Sequence, residues 1–317
     1  MAAESWLGKT GHNLISTAQF VKPALRIALR QPVFGSLNLS EHCPNDCFCY
    51  WKAQPRVPEM SDEKVLQFIR KRKKEGMVHV TYVGGEPYMR PKLLQDVVKI
   101  MPFNWVVTSG LIPLRHLKKT SHFISVDGAD ADTHNKIRGK RGLYERLVAN
   151  LGEARGQGID RLYLHTVLNA ANVDQLEKIF QRWLTNGLAD GMFFSTHTPI
   201  SGANDEHLRL SKAQREAVVG RLLALQAQDS DHFLKMTPEM IRRLHPDFTA
   251  KLTPQNCGTA RYVASYYGNG GRIPQCILSD KADCSQCGCL VMTMVSAINC
   301  FPPELNTLKY LTFGLRF

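Results

Sequence analysis

From residue 36 onward, short runs rich in β-branched and aromatic residues alternate with longer segments whose apolar positions recur at helical spacing. The runs "SLNLS" (36–40), "VHVTYV" (78–83), "NWVVTS" (104–109), "HFISVDG" (122–128), "RLYLHTVL" (161–168) and "GMFFSTHTP" (191–199) read as strands. Between them, "SDEKVLQFIRKRKKEG" (61–76), "PKLLQDVVKIM" (91–101), a short segment near Pro113–Lys119, "LYERLVANLGEARGQG" (143–158) and "VDQLEKIFQRWLTNG" (173–187) read as helices. Ser61 is the expected cap of the first, with acidic residues in its first turn. Six strands, each followed by a helix or turn, imply βαβ crossovers and a parallel sheet, two units short of a closed eight-unit barrel. The expected fold class is therefore α/β, a partial (β/α)6 TIM-like barrel with a small cysteine-rich C-terminal extension.

In such folds ligands bind at the C-terminal ends of the strands. Cys43, Gly84–Pro87, Thr108–Gly110 and Asp127 fall at those ends. Residues 207–245 read as helical, and 250–290 turn irregular and cysteine-rich. The expected division is an N-terminal basic amphipathic arm (1–33), a barrel (34–245) and an extension (246–317).

Composition narrows the chemistry. Of 317 residues, 44% are hydrophobic, enough for a sizeable core without disulfide staples. The nine cysteines form two groups: Cys43, Cys47 and Cys49, then Cys257, Cys276, Cys284, Cys287, Cys289 and Cys300. Grouped thiols in a large chain point to metal binding in a reducing compartment rather than a secreted disulfide framework. The opening residues lack a continuous apolar run, and no stretch approaches the roughly 20 apolar residues of a membrane span. The expected location is cytoplasmic.

The net charge of +12 permits an anionic partner such as RNA, a membrane surface or a phosphorylated substrate. "RKRKKEG" (70–76) reads as the solvated end of an amphipathic helix. In the arm, Lys22, Arg26 and Arg30 make a basic stripe beside an apolar face of Val21, Leu25, Ala28 and Leu29. Such a helix either lies on an anionic membrane, a peripheral contact, or caps the bottom of the barrel.

"CPNDCFCYW" (43–51) has three ordinary explanations: disulfides, a zinc site or an iron–sulfur cluster. Together with "YVGGEPYMRP", "VVTSGL" and "FISVDGADADTHNKIRG", in that order, it resembles the radical SAM enzymes. The resemblance covers about residues 34–200. It implies that Cys43, Cys47 and Cys49 hold a [4Fe-4S] cluster whose fourth iron chelates S-adenosylmethionine (SAM). It further implies that Gly84, Gly85, Glu86 and Pro87 meet the methionine amino group. Ser109, Ser125 and Asp127 then match positions near the methionine and ribose, Phe48 and Tyr50 positions near the adenine, and Arg138 a partner for the SAM carboxylate. The spacing here is C-x3-C-x-C, one residue shorter than the family's C-x3-C-x2-C, so the loop takes a tighter path.

The spacing C-x13-G-x4-C from Cys257 to Cys276 resembles the opening of the SPASM or twitch extension that carries auxiliary clusters in that family. This implies an auxiliary [4Fe-4S] cluster on Cys257, Cys276, Cys284 and Cys287, with Cys289 as an alternative ligand; a zinc ribbon on the same four thiolates stays open. Gly268, Gly270 and Gly271 are expected to form a tight hairpin between the first two ligands, and Cys300 reads as a packed core thiol. His165, His197, Asn169 and Thr196 lie near strand ends facing the expected cavity and read first as satisfied structural groups.

The function implied is reductive cleavage of SAM to a 5′-deoxyadenosyl radical that abstracts hydrogen from a peptide, lipid or small-molecule substrate. A flavodoxin- or ferredoxin-like donor is expected to supply the electron. RNA ranks last as a substrate because no RNA-binding module accompanies the charge. The competing reading is a non-catalytic zinc- or iron–sulfur-binding protein on the same barrel.

Overall fold

The computed structural model describes residues 18–47, 50–299 and 304–307. Its strands are β1 (Phe34–Ser40), β2 (His79–Gly84), β3 (Phe103–Thr108), β4 (Thr120–Ser125), β5 (Leu162–Leu168), β6 (Gly191–Thr196) and β7 (Val263–Tyr266). They form one sheet in the order β6-β5-β4-β3-β2-β1-β7, and every pairing is parallel. All six expected strands are present. Every residue of β4 and of β6 is buried, as a parallel sheet covered on both faces requires.

The helices are α1 (Ala18–Ala28), α2 (Asp62–Lys74), α3 (Pro91–Val97), α4 (Ala131–Arg138), α5 (Leu143–Gly156), α6 (Leu176–Asn186) and α7 (Lys212–Gln228). Beyond them come α8 (Pro238–Arg242), α9 (Pro246–Thr249), α10 (Gly258–Tyr262) and α11 (Leu290–Ile298). Ser61 caps α2 as expected, accepting from the Lys64 amide at 3.4 Å. The helix expected near Pro113–Lys119 is absent. That segment runs as a loop that buries Leu114 and Leu117, and Lys119 turns it into β4 with a left-handed φ of 54°. Conversely, α4 was not anticipated. Asp130 caps its start, accepting from the Thr133 amide at 2.8 Å, and Gly139 ends it at φ 59°.

The segment read as an extension is joined to the sheet, because β7 pairs with Phe34–Leu37 of β1. The glycine turn that follows closes with the Tyr267 amide donating to Gly271 O at 2.9 Å and a single antiparallel bridge between Tyr266 and Arg272. Helix α1 packs at the foot of the barrel, but through its basic side. Lys22 Nζ donates to Lys74 O at 3.3 Å, and Arg26 Nη1 donates to Glu75 O at 2.9 Å. Two cations thus satisfy carbonyls at the C-terminal end of α2, where positive charge is favoured. Among the described residues no helix is long and apolar enough to cross a membrane.

Candidate active site

The cysteine loop after β1 is cradled by two glycines. At the end of β1 the register breaks between Asn38 and Ser40, and the β2 loop crosses over: Gly85 N donates to Ser40 O and Glu86 N to His42 O, each at 2.8 Å. A Cβ at Gly85 would stand 2.2 Å from His42 O and 3.1 Å from Cys43 N. On the other side, a Cβ at Gly139 would stand 2.3 Å from Asp46 O. Both approaches are backbone to backbone, so the GGEP loop and the end of α4 can lie flat on the loop only without side chains. Cys43 is half-buried and Cys47 buried. Burial pushes the Cys43 thiol up; the neighbouring Cys47 and Glu86 add to this, while Arg138 opposes it. Phe48 and Cys49 lie outside the described residues.

Glu86 is 1% exposed, and both carboxylate oxygens are engaged. Oε1 accepts from Thr108 Oγ1 at 2.8 Å and from Tyr88 N at 3.2 Å. Oε2 accepts from Ser109 N at 2.9 Å and Ser109 Oγ at 2.7 Å. Burial raises its pKa, and these four donors only partly oppose that. Glu86 therefore ties the β2 and β3 strand ends together.

A cavity of about 550 Å³ occupies the barrel interior. Phe34, His79, Trp105 and Phe123 line its lower part, with ring centroids 4.8 Å apart for His79–Trp105 and 4.6 Å for Trp105–Phe123. Cys47, Tyr50, Asp127, Arg138, His165, Asn169, Thr196 and His197 line it toward the strand ends. Asp127 pairs with Arg138 at 2.6 Å and accepts from Val167 N at 3.0 Å, which fixes the guanidinium near Cys43 and His165. His165 Nε2 lies 2.6 Å from Ser195 Oγ, and His197 Nε2 lies 3.0 Å from Asp205 Oδ2. Burial pushes the His165 pKa down to about 4, with Arg138 adding to the effect, and lowers His197 against the opposing charge of Asp205. Both rings are thus partnered and also face the cavity.

Of the residues implied by resemblance, Tyr50, Asp127, Arg138 and Cys47 reach the cavity wall. Glu86, Pro87, Ser109 and Ser125 are buried and do not line it. Ser195 and Asp205 were passed over in the sequence. Their signal was weak: a hydroxyl at a strand end and an acid nine residues beyond Thr196.

The second group converges from separate elements. Cys257 precedes α10, Cys276 follows the glycine turn, Cys284 and Cys287 bracket a 3-10 turn, and Cys289 precedes α11. Burial pushes Cys276 up to about 12 and raises Cys284, Cys287 and Cys289 as well. Each feels at least one other thiol of the group, so five sulfurs share one neighbourhood. Buried thiols raised in this way favour their thiolate form only beside a strong positive centre, and that donor set suits iron–sulfur or zinc. Among the described residues no three His, Cys, Asp or Glu side chains close on a single ion-sized point. Cys289 also lines the barrel cavity. Cys300 lies outside the described residues.

Comparison with known proteins bears on the barrel. Residues 37–182, from β1 through α6, match the family model of the radical SAM superfamily. The chain is 24% identical over 269 residues to the sporulation killing factor maturation protein SkfB of Bacillus subtilis, a match covering 78% of this chain and 61% of SkfB. It is 25% identical over 272 residues to the AdoMet-dependent heme synthase of Methanosarcina barkeri, covering 80% of this chain and 75% of that protein. Streptococcus suis SuiB, in its crystal structure bound to the precursor peptide SuiA, shares the fold. Its TM-score is 0.62 at 12% identity, over 86% of this chain and 67% of SuiB. The chain spans about three fifths of the length of SkfB (61%). The family implies SAM and a [4Fe-4S] cluster as cofactors. With its motifs at successive ends of a parallel sheet and the family match over those same strands, residues 37–182 form a radical SAM domain.

Proposed function

We propose that the protein is a radical SAM enzyme acting on a peptide side chain in the barrel cavity, with an auxiliary cluster on the second cysteine group. The observation that carries this reading is one cavity with Cys47 in one part of its wall and Cys289 in another. In the proposal Cys43, Cys47 and Cys49 hold the cluster. When bound, that cluster supplies an electron that splits SAM and releases a 5′-deoxyadenosyl radical. The Arg138 guanidinium, fixed by Asp127, would hold the SAM carboxylate, and Tyr50 would border the adenine. Gly84 and Gly85 would let backbone groups meet the amino group, while Glu86, Pro87, Ser109 and Ser125 would keep the strand ends in place beneath it. The apolar barrel floor would seat the substrate and exclude water from a reactive radical.

A peptide substrate is supported by SkfB, named a maturation protein, and by SuiB, whose structure holds its precursor peptide. A tetrapyrrole is the second reading, supported by the heme synthases at similar identity. For the second cysteine group, Cys257, Cys276, Cys284 and Cys287 are the proposed ligands, with Cys289 as the alternative.

The test is reductive SAM cleavage by anaerobically reconstituted protein. Formation of 5′-deoxyadenosine, abolished by Cys43→Ala, Cys47→Ala or Cys49→Ala, is the expected result. Intact protein should carry about eight irons. A double Cys276→Ala, Cys284→Ala variant should lose about half of them. No 5′-deoxyadenosine under strong reduction with the iron in place would overturn the enzymatic reading. About four irons with one tightly bound zinc would replace the auxiliary cluster by a ribbon.

A further inference from the structure

Helix α1 turns its apolar side outward. Among the described residues four large hydrophobic side chains stand exposed, and three belong to this helix and its immediate end: Leu25 at 57%, Ile27 at 49% and Leu29 at 58%. Leu25, Ala28 and Leu29 fall on one side at 3.6 residues per turn, and Ala28 is exposed too; Ile27 lies nearly opposite the leucines. The adjoining side is occupied. Lys22 and Arg26 grip the carbonyls of Lys74 and Glu75, and Pro23 is buried. The contact is close, since a Cβ at Gly76 would stand 2.8 Å from Arg26 Cδ. Two of the three cations of the stripe, Lys22 and Arg26, are therefore spent on the protein, and the leucines are what the helix presents.

The surroundings of that face are cationic. Arg30 is exposed at its end, and Lys73 and Lys74 are exposed at the end of α2, where Lys22 docks. Arg70 and Lys71 are exposed one turn earlier, while Glu75, the single acid at this junction among the described residues, is paired with Arg72 at 3.0 Å. An outward apolar helix face bordered by exposed lysines and arginines matches the chemistry of an anionic bilayer surface, with acyl chains for the leucines and headgroup charge for the cations.

We propose that α1, with the cationic end of α2, docks the protein on an anionic phospholipid surface, with Leu25 and Leu29 entering the acyl boundary. The docking is independent of SAM chemistry. It places the foot of the barrel on the membrane and leaves the strand ends facing away from it.

The experiment is co-sedimentation of the full chain with vesicles of phosphatidylcholine alone and with about one third phosphatidylglycerol. Binding to the anionic vesicles only, released as salt rises, is expected. Leu25→Gln with Leu29→Gln should cut the bound fraction about tenfold, because apolar insertion and charge act together. Lys73→Glu with Lys74→Glu should remove the preference for anionic lipid, and circular dichroism melting should match wild type for both variants. Three outcomes would overturn the proposal: no binding to anionic vesicles, equal binding to both kinds, or unchanged binding by the leucine variant. A concentration-dependent dimer in sedimentation velocity that the leucine variant dissociates would also overturn it, by assigning the face to a second copy of this chain.

Discussion

Replacing Glu86 with Gln isolates what its carboxylate does. The change keeps shape and removes charge, and its cost follows from how the four donors are shared. Each oxygen faces one hydroxyl and one backbone amide: Thr108 Oγ1 with Tyr88 N on one, Ser109 Oγ with Ser109 N on the other. Whichever oxygen becomes the NH2 group, the hydroxyl opposite it can rotate and accept. The backbone amide cannot, and it is left buried against another donor. One unsatisfied buried N–H costs about 1–3 kcal/mol. Urea unfolding at neutral pH should show that loss in the midpoint, with an unchanged slope. The folded pKa is raised above the ordinary value of 4.5, so the group's contribution is full below that value and fades as pH rises through the folded pKa. The gap between wild type and variant should narrow in the same direction. A variant as stable as wild type at every pH would refute the assignment of Glu86 as the tie between the β2 and β3 ends.

Two further outcomes follow from named contacts. Gly288→Ala should destabilise by about 1–3 kcal/mol, because its Cβ would stand 2.0 Å from Thr196 Oγ1 and 2.1 Å from Thr196 O, whereas Gly152→Ala, in open space on α5, should stabilise by up to about 1 kcal/mol; thermal melts of the two variants moving together would contradict the geometry. His79, His122, His134 and His165 are held neutral by burial, at pKa values of about 3 to 4. Each unfolded histidine binds a proton from about pH 6.5 downward, so stability should fall on acidification by up to about 1.4 kcal/mol per pH unit for each, and a flat stability profile from neutral to pH about 4.5 would deny their burial.

The strands were legible because each is a short apolar run ending in glycine or a polar residue, and a parallel sheet needs nothing more from its local sequence. Other elements depend on partners that the pattern does not contain. Leu114 and Leu117 sit at helical spacing, yet they serve as plugs from a loop that Pro113 opens and Lys119 closes. The four residues of β7 become a strand because β1 offers them an edge. Helix α4 hid inside the "SVDG…KIRG" motif, since eight mostly polar residues give little periodic signal. For α1 the sequence showed both a basic stripe and an apolar face. Which one meets the protein was decided by the carbonyls at the end of α2, a tertiary fact. At the site, motif residues could be placed by resemblance, whereas the partners of His165 and His197 emerged only from the juxtaposition of β5, β6 and the loop beyond.

The cysteine-rich segment touches both edges of the six-stranded barrel, which bears on whether it is a separable unit. β7 covers the free edge of β1. At the other edge, the loop after β6 is held by the cysteine loop: Thr196 N donates to Gly288 O at 3.2 Å, Asp283 N to Pro199 O at 2.9 Å, Ser201 N to Lys281 O at 2.9 Å, and Ile200 bridges Ala282. The outer edge of β6 is also met by residues 233–235, where Met192 N donates to Phe233 O at 2.7 Å and Lys235 N to Met192 O at 2.8 Å. The edge open without the segment is therefore that of β1, and an exposed parallel edge invites aggregation. The segment spans the opening of the partial barrel. It also fills it, since α11 buries Leu290, Met292, Met294 and Val295, worth roughly 1.5–3 kcal/mol each. That sum, about 6–12 kcal/mol, is comparable to the whole stability of an ordinary domain, about 5–15 kcal/mol. A chain cut after His245 should therefore be insoluble or lack a cooperative melt, although residues 34–245 contain all six core strands. A soluble fragment melting at the wild-type temperature would show that the barrel stands alone, and that the wall containing Cys289 is an appendage rather than part of the chamber.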